Sequence, residues 1–151
     1  MQRVFRVVVF VAVCLVARES LGQSEPKTVS LCVLQKTVAE GDHANVRVSG
    51  LFREGLERGT LRDAACPAEA TWVELALRSK RNREKLRRFL DRSQRAYVVV
   101  EGDFYGPPVP DSKLPESIRK TYHPGWGHLG AFSTKLVVHK ICEVQPASGE
   151  Q

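Results

Sequence analysis

Hydrophobic and polar residues alternate in two stretches of the chain that share the pattern V-x-V-x-G-x-F. The first runs from Val46 to Phe52 and the second from Val98 to Phe104. Alternation with a period of two is typical of a half-buried strand, and a glycine inside a strand indicates a bulge or a sharp bend. The two stretches therefore predict long strands over 45–52 and 97–104, with bends at Gly50 and Gly102.

The remaining pattern predicts three more strands and two helices. The further strands lie at 59–63, 72–77 and 131–144, and the helices at 30–39 and 81–92. A helix before three strands and a second helix before the last two is the order of an OB-fold. We therefore predict a mainly β chain with two helices, folded as a five-stranded OB-fold-like barrel. An irregular loop over 106–130 precedes the last strand and holds five of the eight prolines.

The N-terminus reads as a secretory signal peptide over 1–22. Two arginines precede an apolar run of 11 residues, and the small residues Ser20 and Gly22 then offer a cleavage site. The run is shorter than the ~20 residues that a membrane-spanning helix needs, although an uncleaved anchor is the alternative. We expect a flexible lead-in at 23–29, one domain at 30–145 and a flexible tail at 146–151. The mature chain then has no transmembrane segment and is secreted or periplasmic.

Charge is concentrated in the second helix. Residues 78–95 hold nine basic and two acidic side chains, whereas the rest of the predicted mature chain is net negative. Such a surface suits a polyanion, and the alternative is a solvated helix face without a ligand. The spacing places four bases opposite the apolar stripe of Leu86, Phe89 and Leu90. This candidate polyanion face consists of Arg81, Lys85, Arg88 and Arg92.

The long loop supplies a second candidate binding site at Tyr122, Trp126 and His128. Aromatic rings on the loop between the last two strands of an OB-fold can stack on a base or a sugar. The alternative is that Trp126 packs inward and anchors the loop. His123 and His128 lack the third and fourth ligands that structural zinc needs, so no metal site is predicted.

Catalytic motifs are absent from the sequence. It contains no phosphate-binding loop, no H-E-x-x-H and no G-x-S-x-G. His139 and Cys142 are three residues apart on a predicted strand, so their side chains are expected to diverge. We therefore expect no enzyme activity and no cofactor.

Three cysteines remain after the predicted cleavage, Cys32, Cys66 and Cys142, and none lies in a C-x-x-C motif. An exported chain meets oxidising conditions, so one disulfide and one free thiol are expected. The sequence alone leaves all three pairings open.

Four short stretches resemble a family of small exported bacterial OB-fold proteins. They are Leu31–Leu34, Asn45–Gly50, Leu61–Cys66 and Gly127–Phe132. The resemblance implies the fold, the exported location and a Cys32–Cys66 disulfide. A cysteine in a loop, as at Cys66, also adjusts readily to the Cα separation of about 5.5–6 Å that a disulfide needs. Cys142 is then expected to be a buried small hydrophobe, and Cys66–Cys142 is the competing pairing.

Two functions from different classes follow from these features. The first is an exported, non-catalytic OB-fold binding module whose ligand is polyanionic or carbohydrate-like. The second is an envelope structural or interaction protein that binds a protein partner.

Overall fold

The computed structural model describes residues 27–55, 59–120 and 124–147, except for the Arg92 side chain. Six strands lie within these ranges: β1 (Thr28–Val29), β2 (His43–Glu54), β3 (Gly59–Arg62), β4 (Ala70–Leu75), β5 (Arg95–Tyr105) and β6 (Lys135–Pro146). The described helices are α1 (Leu31–Thr37), α2 (Lys80–Ser93), α3 (Glu116–Arg119) and a 3-10 helix at His128–Gly130.

The six strands form one sheet, and five of them close into a ring. Around the ring the order is β2, β3, β4, β6 and β5, and β5 pairs again with β2. The β4–β6 pairing is parallel, whereas the other neighbours in the ring are antiparallel. β1 adds a short parallel pairing to β2. The mainly β prediction and the number of strands in the ring are confirmed.

The hydrophobic core fills the inside of the ring. β2 and β5 contribute the residues that the alternation pattern marked, with Val46, Val48, Val98 and Val100 all buried. The helices add apolar side chains to the same cluster, two from α1 (Leu31 and Leu34) and two from α2 (Leu86 and Leu90). Each fully buried side chain of this size stabilises the fold by about 1.5–3 kcal/mol relative to an exposed one, so both helices are fixed to the ring by burial.

The two glycines of the V-x-V-x-G-x-F pattern let neighbouring strands approach closely. A Cβ atom on Gly50 would lie 2.6 Å from the carbonyl oxygen of Arg62, and one on Gly102 would lie 2.1 Å from that of Val137. β2 and β5 nevertheless pair without a register shift from His43 to Arg53. The shifts lie in β6, opposite Val99/Val100 and Glu101/Gly102 of β5. Of the two alternatives for Gly50, a bulge is therefore absent from the β2–β5 pairing, and the irregularity is on the strand that faces Gly102.

Gly102→Ala is expected to destabilise the protein by about 1–3 kcal/mol, the usual cost of overpacking. The new Cβ would meet the backbone of β6, which cannot rotate away as a flexible side chain could. Urea unfolding at pH 7 measures the change. Ser49→Ala, at an exposed position of β2, serves as the control and should stay within about 0.5 kcal/mol of the parent. An equally stable Gly102→Ala protein would show that β6 can shift at its bulge.

Three details differ from the sequence prediction. A third α-helix, α3, forms one turn within the long loop, so the predicted number of two helices is wrong. The last strand begins at Lys135 and not at 131, because Phe132 forms a separate bridge with Trp126. Thr28 and Val29, at the end of the predicted lead-in, form β1. The predicted signal peptide lies outside the described residues, and among those residues no helix has the length and hydrophobicity to cross a membrane.

Candidate functional site

The basic helix α2 is held firmly at both ends. The hydroxyl oxygen of Ser79 accepts a hydrogen bond from the Asn82 backbone at the N-terminus. At the C-terminus Gln94 has φ 54° and donates its backbone N–H to the Leu90 carbonyl, the arrangement that ends many helices. Together with the buried Leu86 and Leu90, these caps give the opposite surface of α2 a fixed orientation.

The predicted polyanion contacts differ in their exposure. Arg81 and Arg88 are exposed and lie two helical turns apart, about 10.5 Å along the axis. Lys85 is half-buried and donates from Nζ to the backbone carbonyl of Cys142 on β6, at 2.9 Å. The Arg92 side chain lies outside the described part of the structure.

Lys85 is therefore not on the face opposite the apolar stripe, and that prediction is wrong. The residue lies four positions before the half-buried Phe89, and residues at i and i+4 are neighbours on a helix surface. The long methylene chain then lets the ammonium group reach past the apolar surface to β6. Lys85 thus fixes α2 to the sheet.

The two acidic residues of α2 pair with bases other than Arg81 and Arg88. Glu84 lies 3.9 Å from Lys80 and Asp91 lies 3.7 Å from Arg87, both at i,i+4 spacing. Exposed pairs of this kind contribute only about 0.3–0.5 kcal/mol. Within the described residues, Arg81 and Arg88 form no ion pair.

The loop between β5 and β6 is anchored by Trp126. Its indole Nε1 donates to the carbonyl oxygen of Gly106 at 2.9 Å, and its backbone exchanges two hydrogen bonds with Phe132. The Lys135 ammonium lies 3.9 Å from the centre of the Trp126 ring and 4.8 Å from that of Tyr105. Because this cation covers one face of the indole, the contacts favour an anchoring role over ligand stacking. The sequence did not indicate Tyr105 or Lys135 as partners of Trp126.

Of the other two predicted loop residues, His128 lies within the described part of the structure and Tyr122 does not. Tyr122 lies outside the described residues, as does His123. His128 is exposed and begins the 3-10 helix. Next to it, Leu129 has φ 56° and is 91% exposed, which is unusual because a bulky residue rarely adopts positive φ.

His139 and Cys142 face the same side of the sheet, so the expected divergence is wrong. His139 Nε2 lies 2.8 Å from the Asp103 carboxylate, and the Cys142 thiol donates to Glu101 at 3.3 Å. Glu101 and Asp103 are alternate residues of β5 and point to one face. The two register shifts of β6 leave His139 and Cys142 without a partner in the β5 register, and such bulges redirect side chains.

The Cys142 environment does not favour a reactive thiolate. Burial, followed by the hydrogen bond to Glu101, raises the pKa of this thiol above its ordinary value, whereas reactive cysteines need a lowered pKa. Cys142 is half-buried and hydrogen-bonded, so the prediction of a buried small hydrophobe is also wrong. The Lys140 ammonium lies 3.1 Å from Glu101 and, by hydrogen bonding, lowers the pKa of that carboxyl.

The Cys32–Cys66 disulfide is confirmed, with a Cα–Cα distance of 5.8 Å. It joins α1 to the turn after β3, in which the Cys66 backbone donates to the Asp63 carbonyl. The Asp63 carboxylate caps α1 across 32 residues of sequence, since it accepts from the backbone of Leu31 at 3.1 Å and from the hydroxyl of Ser30 at 2.8 Å. Ser30 itself makes no side-chain cap.

Replacing Asp63 should lower the free energy of unfolding by an amount that depends on pH. Hydrogen bonds from the backbone of Ala65, from Ser30 and from Leu31 hold the pKa of Asp63 below its ordinary value of 3.8. Its stabilising contribution is therefore complete well above pH 4 and is lost as the pH falls through the lowered pKa. We expect Asp63→Ala to cost about 1 kcal/mol at pH 7, as loss of a helix cap does.

Urea unfolding of the parent and of Asp63→Ala at pH 7 and at pH 2.5 tests this expectation. The difference between the two proteins should shrink at the lower pH, because the parent carboxyl is then increasingly protonated. A difference that is constant with pH would contradict the assignment of the effect to the ionised carboxylate.

Comparison with known proteins leaves the chain without a match. No protein-family model, no curated protein and no solved structure is significantly similar to it. The functional argument therefore rests on the residues and contacts described above.

Proposed function

We propose that the chain is an exported, non-catalytic OB-fold binding module that holds linear polyanions on the exposed surface of α2. The order of strands in the ring supports the OB-fold part of this proposal. When the ring strands are counted from β2, the first three pair consecutively, the third pairs with the fifth, and the fifth pairs with the fourth, which returns to the first. α2 lies between the third and fourth of these strands, as in the OB arrangement.

The exposure of Arg81 and Arg88 is the observation that carries the binding proposal. Both guanidinium groups project from a helix whose other side is fixed to the core, and the two acids of α2 are engaged by Lys80 and Arg87. Guanidinium groups bind phosphate, sulfate and carboxylate through two parallel hydrogen bonds. A chain of regularly spaced anions could contact both arginines at once, since they are about 10.5 Å apart along the helix.

A polyanion fits the described surfaces better than a neutral sugar. A neutral glycan would depend on exposed aromatic faces, and the Trp126 indole is covered on one side by Lys135. A polyanion needs only cationic side chains that can reach its anionic groups, and the exposed basic side chains of α2 meet this need. Export is supported by the predicted signal peptide and by the disulfide, which is typical of proteins in oxidising compartments.

Equilibrium binding of the mature chain to heparin and to a single-stranded oligonucleotide tests the proposal. Binding to both should weaken steeply as salt rises, because each anion contact releases counterions, and a neutral dextran should not bind. Binding that is insensitive to salt, or equal for dextran, would contradict the proposal. Binding to one anionic polymer alone would identify its chemical class.

Leu129 favours a second candidate function, that of an envelope interaction protein. Its side chain is 91% exposed in a turn with positive φ at Gly127, Leu129 and Gly130. The bridge between Trp126 and Phe132 closes this turn, so the leucine is presented in a preorganised loop. Preorganisation reduces the entropy lost on binding, as expected of an apolar anchor for a protein partner.

Leu129→Ser should then abolish crosslinking to that partner in an envelope preparation while leaving heparin binding unchanged. Val109→Ser is the matched control, because Val109 is an exposed apolar residue of the same loop. If no crosslinked species depends on Leu129, the interaction function is excluded for this loop.

A further inference from the structure

We propose that the polyanion bound by this chain is a single-stranded nucleic acid, and that one of its bases stacks on the exposed ring of Tyr97. This inference names the ligand of the proposed function and rests on that function. The surface concerned is the outer face of the sheet where β5 begins, which we call the Tyr97 face. It consists of Leu51, Arg53, Arg62, Arg95, Tyr97 and Val99.

Strand pairing brings the residues of this face together. Every second residue of β5 is buried, which directs Arg95, Tyr97 and Val99 away from the core. On β2, Leu51 lies directly opposite Tyr97. Two positions further along, Arg53 lies directly opposite Arg95. Opposite residues of an antiparallel pair have Cβ atoms about 4.5–5.5 Å apart, so an aromatic ring and two basic side chains share one small area.

The ring of Tyr97 is accessible to a stacking partner. Tyr97 is 41% exposed, and its neighbours on the adjacent strands are the aliphatic Leu51 and the polar Gln145. Among the described residues, no aromatic ring or ammonium group lies over it, whereas Lys135 covers one face of Trp126. Every nucleic-acid base has a π face, so stacking on such a ring requires no particular sequence.

Arginines near the ring supply contacts to phosphate groups. Arg53 is exposed, and it forms no ion pair with another described residue. Arg62 on β3 lies beside Leu51 and donates one N–H to the carbonyl of Pro67 at 2.7 Å, which leaves further donors of its guanidinium group for an anion. Neighbouring strands are about 4.8 Å apart, so Arg62 and Tyr97 are about 10 Å apart across β2.

An acidic residue fixes the side of the ring on which phosphate is expected. Glu143 of β6 lies opposite Val99, whereas Arg53 and Arg95 lie on the other side of Tyr97 along the strands. A phosphate group would therefore contact the arginine side, where its charge is favoured, with the attached base over the ring.

The basic helix leads directly to this face. α2 ends at Ser93 and β5 begins at Arg95, with Gln94 alone between them. Arg88 lies five residues before the end of α2, which is about 7.5 Å along the helix axis. A polyanion that contacts Arg81 and Arg88 could therefore continue past the end of the helix onto the Tyr97 face.

A single-stranded nucleic acid uses both the charge and the ring of this surface. Proteins bind such strands through a positively charged track together with aromatic rings on which bases stack. The sugar rings of a sulfated polysaccharide are saturated and lack the flat π face of a base, so they would use the arginines alone. A neutral sugar would leave the arginines unused. The combination of ring and cations therefore favours the nucleic acid.

The base contact is tested with oligothymidylate and an abasic phosphodiester strand of the same length, at one salt concentration. The two probes carry the same phosphates, so a difference in affinity reports the bases and requires no variant. We expect the mature chain to bind oligothymidylate at least about fivefold more tightly, the ratio that corresponds to the stacking of one base. Tyr97→Ser should reduce this ratio to about one and leave the affinity for heparin unchanged.

Matched variants separate stacking from charge and from stability. Tyr97→Phe keeps the ring and should keep the ratio, and the Tm of each variant shows whether the sheet is intact. Arg53→Ser should weaken the binding of both strands, because it removes a phosphate contact. Lys36→Ser removes the same charge from an exposed position of α1 and should change neither affinity appreciably.

Failure of this inference is distinguishable from failure of the proposed function. Equal affinity of the parent for the two strands, or a ratio that Tyr97→Ser leaves unchanged, would overturn the base contact while polyanion binding stands. Binding to heparin without binding to either strand would overturn the inference and assign the ligand to the sulfated polysaccharides. If heparin and both strands fail to bind, the inference and the proposed function are both overturned.

Discussion

Replacing both Cys32 and Cys66 with serine should lower the free energy of unfolding by about 3–4 kcal/mol. The disulfide joins residues 34 positions apart, and in the chain-entropy model a closed loop of that length restricts the unfolded chain by about that amount. The residues within the loop include β2 and β3, which pair with each other. The loss is therefore expected to appear mainly as easier unfolding of a chain that still forms the ring.

Urea unfolding of the double serine variant, compared with Cys142→Ser, provides the measurement. Cys142 takes no part in the disulfide, and serine can keep the hydrogen bond to Glu101. This control should thus stay within about 1 kcal/mol of the parent. A double variant that is destabilised by less than about 1 kcal/mol would show that the β2–β3 pairing already restricts the unfolded loop.

The sequence predicted those parts of the fold that depend on local periodicity. Alternation identified β2 and β5 because every second side chain enters the ring, as with Val48 and Val100. The spacing of Leu86 and Leu90 identified α2 for the equivalent helical reason. The short strand β1 carries no such signal, since two residues are too few to show a period.

The candidate sites were harder to predict, because they depend on contacts between distant segments. His139 and Cys142 share a face only because β6 shifts its register twice against β5, and a strand's own sequence does not contain its partner's register. The cap that Asp63 gives to α1 likewise crosses 32 residues. Lys85 could have been placed better: its position four residues before Phe89 already puts it beside the apolar stripe and not opposite it.

The ion pairs and hydrogen bonds of α2 make the hypothesis of polyanion binding more specific. From the nine bases between residues 78 and 95, helical spacing selected Arg81, Lys85, Arg88 and Arg92 as the candidate polyanion face. In the structure, Lys80 and Arg87 pair with acids and Lys85 is bound to β6. Of the four predicted contacts, Arg81 and Arg88 are exposed and form no ion pair within the described residues, so we expect their removal to weaken the binding of an anionic ligand.

The double variant Arg81→Ser/Arg88→Ser should elute from heparin at markedly lower salt than the parent. With a single-stranded oligonucleotide, the slope of log affinity against log salt should become shallower by about 1.4, or about 0.7 for each phosphate that is no longer neutralised. The fold should be unaffected because both side chains are exposed, which circular dichroism and the Tm can check.

Lys80→Ser/Arg87→Ser is the matched control for this prediction. It removes the same charge from the same helix, but at bases that are paired with Glu84 and Asp91. If the ligand contacts Arg81 and Arg88 directly, the control should retain most of the parent's heparin affinity and its salt slope. Equal reductions in affinity in the two variants would mean that the polyanion responds to net charge alone. Unchanged binding in Arg81→Ser/Arg88→Ser would leave α2 as a solvated face, because a salt-dependent interaction requires the charged groups that make it.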